Sequence, residues 1–121
     1  MTIQYFGQTP RFSEATVANG FVFLAGMVPE KIDADITEQT RDVLAQIDAW
    51  LAKCGSDKNH LLEATIYLTD MADYNGMNLA WDEWINPQHS PARACVEAKL
   101  ANAEWKVEIK VSALQVSLQV L

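Results

Sequence analysis

Hydrophobic and polar residues alternate most clearly near the end of the chain. Apolar residues occupy every second position there, namely Trp105, Val107, Ile109, Val111 and Ala113, and polar residues occupy the positions between them, namely Lys106, Glu108, Lys110 and Ser112. A period of two is typical of a β-strand with one buried face and one polar face. Near the start, Asn19-Gly20 separates two apolar runs at 15–18 and 21–25, which predicts a β-hairpin.

Two segments have helical rather than alternating spacing. The first is predicted over 36–53, because Asp35 and Glu38 have the spacing of a capping box and Gly55 closes the run. The second is predicted over 70–84, where one face carries an apolar stripe of Met77, Trp81, Trp84 and Ile85. Strands are predicted at 61–69 and 93–100, and the proline-bounded segment 86–91 between them is a loop.

The resulting order, ββαβαββ, predicts an α+β fold in a single domain spanning 1–121, with one sheet and two helices on one of its faces. If the last two strands form a hairpin around 101–104, Arg93 lies opposite Val111 or Ser112. It then stands on the order of 10 Å from Glu108. The sheet face opposite the helices is expected to carry Arg93, Cys95 and Glu108 and to be buried by another subunit. Because 10 Å is wide for one small ligand, a site shared between subunits is favoured.

The segment 91–98, which includes the start of the strand predicted at 93–100, carries the strongest candidate chemistry. Side chains two apart point the same way, so Arg93, Cys95 and Glu97 share one face, and the other face, made of Ala94, Val96 and Ala98, is expected to be core. An arginine can clamp a carboxylate through two parallel hydrogen bonds, which favours a small organic acid as ligand. The competing interpretation is an arginine that only solvates a sheet face.

Glu108 is the second candidate, because a lysine lies two residues to either side of it on the same strand face. Nearby positive charge favours the ionised carboxylate, which can orient a water molecule or accept its proton. A surface strand of alternating charge would have the same pattern. His60 and His89 lie beside turns, and neither has the spacing of a metal site. No metal and no cofactor are therefore predicted.

Composition narrows the classes of partner. The net charge is −7, and none of the nine basic residues is adjacent to another. Proteins that bind nucleic acids need clustered positive charge, so we do not expect a nucleic acid as a partner of this chain. With two cysteines lacking metal spacing, no leader pattern and no long apolar run, the sequence predicts a reduced cytoplasmic protein that does not bind membranes.

Taken together, these segments resemble the Rid family of reactive intermediate deaminases, also called YjgF-type or endoribonuclease L-PSP-labelled proteins. The resemblance rests on blocks that run along nearly the whole chain: Asn19-Gly20, 23–26, 38–40, 64–70, Met77-Asn78, 91–96 and 107–109. Three further blocks, at 28–30, 33–35 and 80–84, are closer to the YoaB-like branch.

The resemblance implies a chorismate-mutase-like fold that assembles as a homotrimer with clefts between subunits. It also implies hydrolysis of 2-imino or enamine acids to 2-oxo acids and ammonia. Arg93 would bind the substrate carboxylate and Glu108 would position water. Cys95, Asn78 and Gly26 would line the cleft.

The chain also departs from the deaminase pattern. It has Phe12 and Met27 where many deaminases have polar side chains, so the pocket is expected to be more apolar. A trimer that binds a small carboxylate without turnover, as a sensor or a chaperone partner, is therefore the alternative function. Endoribonuclease activity is the third, and the acidic charge argues against it.

Overall fold

A computed structural model describes residues 2–117, which form one mixed six-stranded sheet with two α-helices. Its elements in chain order are β1 (Gln4–Phe6), β2 (Ala15–Ala18), β3 (Phe21–Leu24), α1 (Ile36–Lys53), β4 (Leu61–Leu68), α2 (Tyr74–Trp84), β5 (Ala92–Glu97) and β6 (Val107–Leu114). The strand order across the sheet is β1-β2-β3-β6-β4-β5. The predicted α+β class is therefore confirmed. Residue 1 and residues 118–121 of the predicted domain lie outside the described residues.

The first helix begins and ends where its caps predict. The Asp35 side chain accepts a hydrogen bond from the Glu38 N–H at 2.9 Å, which satisfies a free donor of the first turn. At the other end Gly55 has a φ of +77°, a conformation that glycine adopts without a steric penalty. Four apolar residues on one face of this helix are buried: Val43, Leu44, Ile47 and Leu51.

The predicted hairpin is also confirmed. Asn19 and Gly20 both have positive φ, 53° and 81°, which matches the twist of the flanking strands, and Val17 pairs with Val22. The sequence prediction missed β1, which pairs antiparallel to β2 with Tyr5 opposite Thr16. A three-residue strand is too short to have a recognisable alternation.

The expected hairpin between the last two strands is wrong, because β4 lies between them. Ala64 on β4 pairs in parallel with Arg93 on β5 and antiparallel with Val111 on β6. The physical reason is that β4, α2 and β5 form a βαβ unit. A helix between two strands is the usual connection of a parallel pair, and it places β5 directly beside β4.

The second helix begins later than predicted, at Tyr74, after a 3₁₀ turn over Met71–Asp73. Both helices pack on one face of the sheet, where alternate strand residues such as Ala64, Ile66 and Ile109 are buried. The opposite face, called the open face below, carries exposed and half-buried side chains on β3, β4 and β6.

The faces of β5 are the reverse of the expectation. Arg93 and Cys95 pair with Ala64 and Ile66, so they lie on the helix side of the sheet. Ala94 and Val96 are exposed on the open face, and Ala98 lies beyond the end of the strand. The predicted core role of these three residues is therefore wrong. Which face of an edge strand is buried depends on its pairing with the strand beside it. The expected hairpin placed β6 rather than β4 beside β5, and the wrong face of β5 was therefore expected to be core.

Candidate active site

The Arg93 guanidinium lies between β5 and the first two turns of α2. Its Nη1 donates to Asn78 Oδ1 at 2.9 Å, and its Nη2 donates to the Tyr74 hydroxyl oxygen at 3.1 Å. Its Cζ lies 5.2 Å from the centre of the Trp81 ring, within the range of a cation–π contact. Of five N–H groups, three keep no partner among the described residues, enough to bind both oxygens of a carboxylate.

The spacing of the α2 residues explains this arrangement. Tyr74, Asn78 and Trp81 are four and three residues apart, so they lie on one helix face directed at β5. The start of the helix is tied to the same strand, because Glu97 Oε1 accepts from the Met71 N–H at 2.9 Å. The guanidinium is therefore held in a fixed orientation before any ligand arrives.

Sequence reasoning named Asn78 at this site but missed Tyr74 and assigned Trp81 only to the core. The helical spacing from Asn78 was the signal that could have found both. Trp81 is in fact buried as predicted, with only its contact to Arg93 added.

Cys95 lies two residues beyond Arg93 on the same side of β5 and is partly buried against the core. Burial raises the pKa of its thiol above the ordinary value, an effect that the nearby charge of Arg93 only partly opposes. The thiol therefore stays protonated near pH 7. Since the thiolate is the nucleophilic form, Cys95 is suited to be a wall of the site rather than its nucleophile.

Glu108 belongs to a second cluster, on the open face of β6 opposite Tyr67. Met27 and Ile109 exchange backbone hydrogen bonds of 2.8 and 3.1 Å, which bring Gly26 against the Glu108 side chain. A Cβ on residue 26 would lie 2.8 Å from Glu108 Cδ and closer still to Oε2. Glycine is thus required for the carboxylate to occupy this position.

The lysines that flank Glu108 in sequence were expected to support its negative charge. Lys110 Nζ instead donates to the Leu24 carbonyl at 2.9 Å. None of the ion pairs among residues 2–117 includes Glu108.

The two clusters do not meet within one chain. Arg93 on β5 and Val111 on β6 both pair with Ala64 on β4, which lies between these two strands. Glu108 lies three residues before Val111 on β6. At about 3.3 Å per residue and about 4.8 Å per strand, the Cα atoms of Arg93 and Glu108 are about 14 Å apart. Their side chains also point to opposite sides of the sheet, so the expected shared face is wrong. No small molecule can contact both groups of a single chain.

The side chains of the other two predicted pocket residues, Phe12 and Met27, belong to neither cluster. Phe12 is exposed in the loop that joins β1 to β2, at the opposite edge of the sheet from β5. Met27 is 3% exposed and packs in the core, so its backbone rather than its side chain lies beside the Gly26–Glu108 cluster. A pocket that includes Phe12 and Arg93 stays a prediction that depends on a second chain.

The open face has unusually many exposed large apolar side chains. Five of them are between 41% and 51% exposed: Tyr5, Phe21, Phe23, Val96 and Leu114. Large exposed apolar surfaces of this kind are typical of sites that bind another protein surface.

Within residues 2–117, no three His, Cys, Asp or Glu side chains lie close enough together to hold a metal ion. Neither helix of this part of the chain combines the length and apolar character needed to cross a bilayer. Cys54 and Cys95 are both free thiols.

The comparisons with known proteins agree with this fold. Residues 2–115 match the model of the family described as Endoribonuclease L-PSP, and the chain therefore belongs to that family. A crystal structure of a member of the YjgF protein family from Neisseria meningitidis is 60% identical, with a TM-score of 0.94 over 98% of each chain.

Curated relatives place the chain in the YoaB-like branch of the family. The RutC family protein YoaB of Escherichia coli is 47% identical over 113 residues, which are 93% of this chain and 98% of that protein. A RutC family protein of Haemophilus ducreyi is 51% identical over 105 residues, 87% of this chain and 90% of its own length. The predicted resemblance to the Rid family and to this branch is confirmed.

The contact between Gly26 and Glu108 leads to a first testable prediction. We expect Gly26→Ala to displace the Glu108 carboxylate, because the obstructed atoms are the far end of a flexible side chain and can move. Stability should change little, whereas any activity that depends on Glu108 should fall by about tenfold to a hundredfold, the cost of misplacing a reacting group. Thermal unfolding and steady-state kinetics measure the two effects. As a control, Gly26→Ala should have no further effect in a Glu108→Ala background, and an additive loss would contradict the explanation.

Proposed function

We propose that this protein hydrolyses 2-imino and enamine acids to 2-oxo acids and ammonia, without a cofactor, in clefts between the subunits of a homotrimer. The observation that carries the proposal is the Arg93 guanidinium, which α2 holds in place while three of its N–H groups have no partner within residues 2–117 and can bind a carboxylate. Membership of the family supports a Rid-type role.

In this mechanism Arg93 binds the carboxylate of the substrate and thereby fixes the position of the adjacent imine carbon. Glu108 orients a water molecule and accepts one of its protons as the water oxygen bonds to that carbon. Glu108 passes this proton to the imine nitrogen, which gives a neutral amino alcohol. The C–N bond then breaks as the hydroxyl proton moves through Glu108 to the nitrogen, which leaves as ammonia. An enamine acid enters the same path after it tautomerises to its 2-imine. The carbon is left as the ketone of a 2-oxo acid, and no electrons are exchanged with a second reactant.

Assembly of several chains would bring Arg93 and Glu108 into the same cleft, which a single chain cannot do. The apolar open face favours contact with further copies of the chain, and a closed ring is the usual outcome for a homo-oligomer. A trimer is the number implied by the resemblance to the Rid family. Because Arg93 and Glu108 lie on opposite sides of the sheet, each cleft would combine Arg93 of one subunit with Glu108 of its neighbour.

The remaining predicted residues take supporting roles in this proposal. Asn78 holds the guanidinium, Cys95 forms a wall of the cleft, and Gly26 makes room for Glu108. Phe12 is exposed on a loop and can reach a neighbouring subunit's cleft, and Met27 contributes through its backbone. The two free thiols suit a reducing compartment, and we propose the cytoplasm.

A non-catalytic trimer that binds small carboxylates is the second candidate. The distance between the two clusters favours it, because binding at Arg93 needs only one chain whereas turnover needs the assembly. Although the family description includes endoribonuclease, a net charge of −7 disfavours RNA as a substrate.

A trapping assay tests the proposal. An amino-acid oxidase generates 2-imino acids from a panel of amino acids, and semicarbazide traps whatever imine persists. We expect the purified protein to shorten the imine lifetime and to release ammonia and 2-oxo acid in equal amounts. Decay at the rate of buffer alone for every amino acid would contradict the enzyme, and carboxylate binding without turnover would select the second candidate. RNA cleavage that disappears in Arg93→Ala would contradict both.

A further inference from the structure

The Tyr74 hydroxyl group occupies an unusual place beside Arg93. Its oxygen accepts a hydrogen bond from Arg93 Nη2 at 3.1 Å, and the ring centre is 5.9 Å from Arg93 Cζ. The side chain belongs to the first residue of α2 and is partly exposed. The phenol thus lies at the surface of the guanidinium from which a ligand would approach.

The proton of this hydroxyl group has no partner within the described part of the chain. A phenol has one donor hydrogen, and because its oxygen accepts from a cation, the hydrogen must point away from the guanidinium. No acceptor in residues 2–117 takes it, so it is directed towards solvent or towards an incoming ligand. Donation from a cation also polarises the phenol and makes it a stronger donor.

Neighbouring contacts fix the position of Tyr74. The preceding 3₁₀ turn is capped by Asp70, whose side chain accepts from the Ala72 N–H at 2.9 Å. Its first residue, Met71, is hydrogen-bonded to Glu97 on β5. Both ends of the contact between Tyr74 and Arg93 are therefore anchored to the same strand, and the hydroxyl group is preorganised rather than mobile.

We propose that the Tyr74 hydroxyl group donates a hydrogen bond to the carboxylate that Arg93 binds, so that a guanidinium and a phenol together form the anion site. This inference rests on the proposed function, because it needs a carboxylate at Arg93. The site then suits a planar carboxylate, since both of its oxygens can accept from the guanidinium and one of them can also accept from the phenol on the side of α2.

Calorimetric titration with 2-oxobutyrate tests the role of the phenol without requiring turnover. Tyr74→Phe keeps the ring and removes only the hydroxyl group, and we expect it to raise the Kd by about tenfold, the size of one charge-assisted hydrogen bond. Tyr5→Phe is the matched control, because Tyr5 lies on β1 at the far edge of the sheet, and its Kd should stay within about twofold of the wild type.

A second variant separates donation from mere support of Arg93. When 3-fluorotyrosine is incorporated at position 74, the phenol becomes a stronger donor and a weaker acceptor. We expect this variant to bind 2-oxobutyrate more tightly than the wild type does in the same buffer. A phenol that only holds Arg93 through its oxygen would give weaker binding instead.

The outcomes distinguish this inference from the proposed function. If the wild type binds 2-oxobutyrate and Tyr74→Phe binds it equally well, or if 3-fluorotyrosine weakens binding, the inference is overturned and the Arg93 site stands. If the wild type binds no 2-oxobutyrate, the carboxylate site itself is overturned, and the role of Tyr74 is overturned with it.

Discussion

Arg93→Lys is expected to weaken the binding of 2-oxobutyrate by about 2 kcal/mol, or about 30-fold. Lysine keeps the positive charge but replaces a planar fork of donors by a single ammonium group. It also cannot satisfy Asn78 Oδ1, the Tyr74 oxygen and a ligand carboxylate with the geometry that the guanidinium provides. Calorimetric titration measures the change in Kd, and turnover by the trapping assay should fall at least as far.

Cys95→Ala provides the matched control for this prediction, because it alters the neighbouring position on the same side of β5. A protonated thiol that only walls the site is dispensable, so this variant should keep most of its activity. A Cys95→Ala protein as inactive as Arg93→Ala would show that the thiol takes part in the chemistry. Equal affinity of Arg93→Lys and wild type would show that charge alone, and not the fork, binds the ligand.

Mixed trimers of Arg93→Ala and Glu108→Ala chains are expected to regain activity that neither variant has alone. In such a mixture, a Glu108→Ala chain still provides Arg93 and an Arg93→Ala chain still provides Glu108. A cleft shared between neighbouring subunits is therefore complete only where these two kinds of chain meet in that order. With equal amounts and random assembly, about one quarter of the clefts are complete. Co-refolding the two chains and measuring imine hydrolysis tests this expectation.

Two controls make the complementation experiment decisive. Each variant refolded alone should stay inactive, and sedimentation equilibrium of the mixture should give a mass near three times 13.5 kDa. A mixture as inactive as its components, at the mass of a trimer, would show that no cleft combines the two residues from different subunits. A monomer at micromolar concentration would contradict the shared site altogether.

Most of the fold could be predicted from local sequence patterns. The caps at Asp35 and Gly55 and the positive-φ turn at Asn19-Gly20 depend on neighbouring residues alone, and each lies where the sequence predicts. Pairing between distant strands is different, because any two strands of suitable length can pair. Recognition of β4, α2 and β5 as a βαβ unit would have placed β5 beside β4. The register that sets Arg93 beside Ala64 on the helix side comes only from the structure.

For the candidate site, the sequence indicated which residues to consider but not how they are arranged. Arg93, Asn78, Gly26 and Glu108 came from motifs, and the structure brings them together in pairs, Arg93 with Asn78 and Gly26 with Glu108. How the pairs relate depends on strand order and on contacts between chains, neither of which a single sequence encodes in local spacing. Tyr74 lies one helical turn before Asn78, but its contact with Arg93, nineteen positions away, depends on how α2 packs on β5.

The separation of Arg93 from Glu108 by the thickness of the sheet has a consequence for how the protein responds to dilution and to mutation. If the cleft forms between chains, the folded monomer retains an anion site but has no means of activating water, so catalysis follows the concentration of the assembled form. A change on the apolar open face can then abolish turnover without altering any group that contacts substrate. Such a variant would be inactive in a dilute assay and would regain activity at protein concentrations high enough for the subunits to assemble.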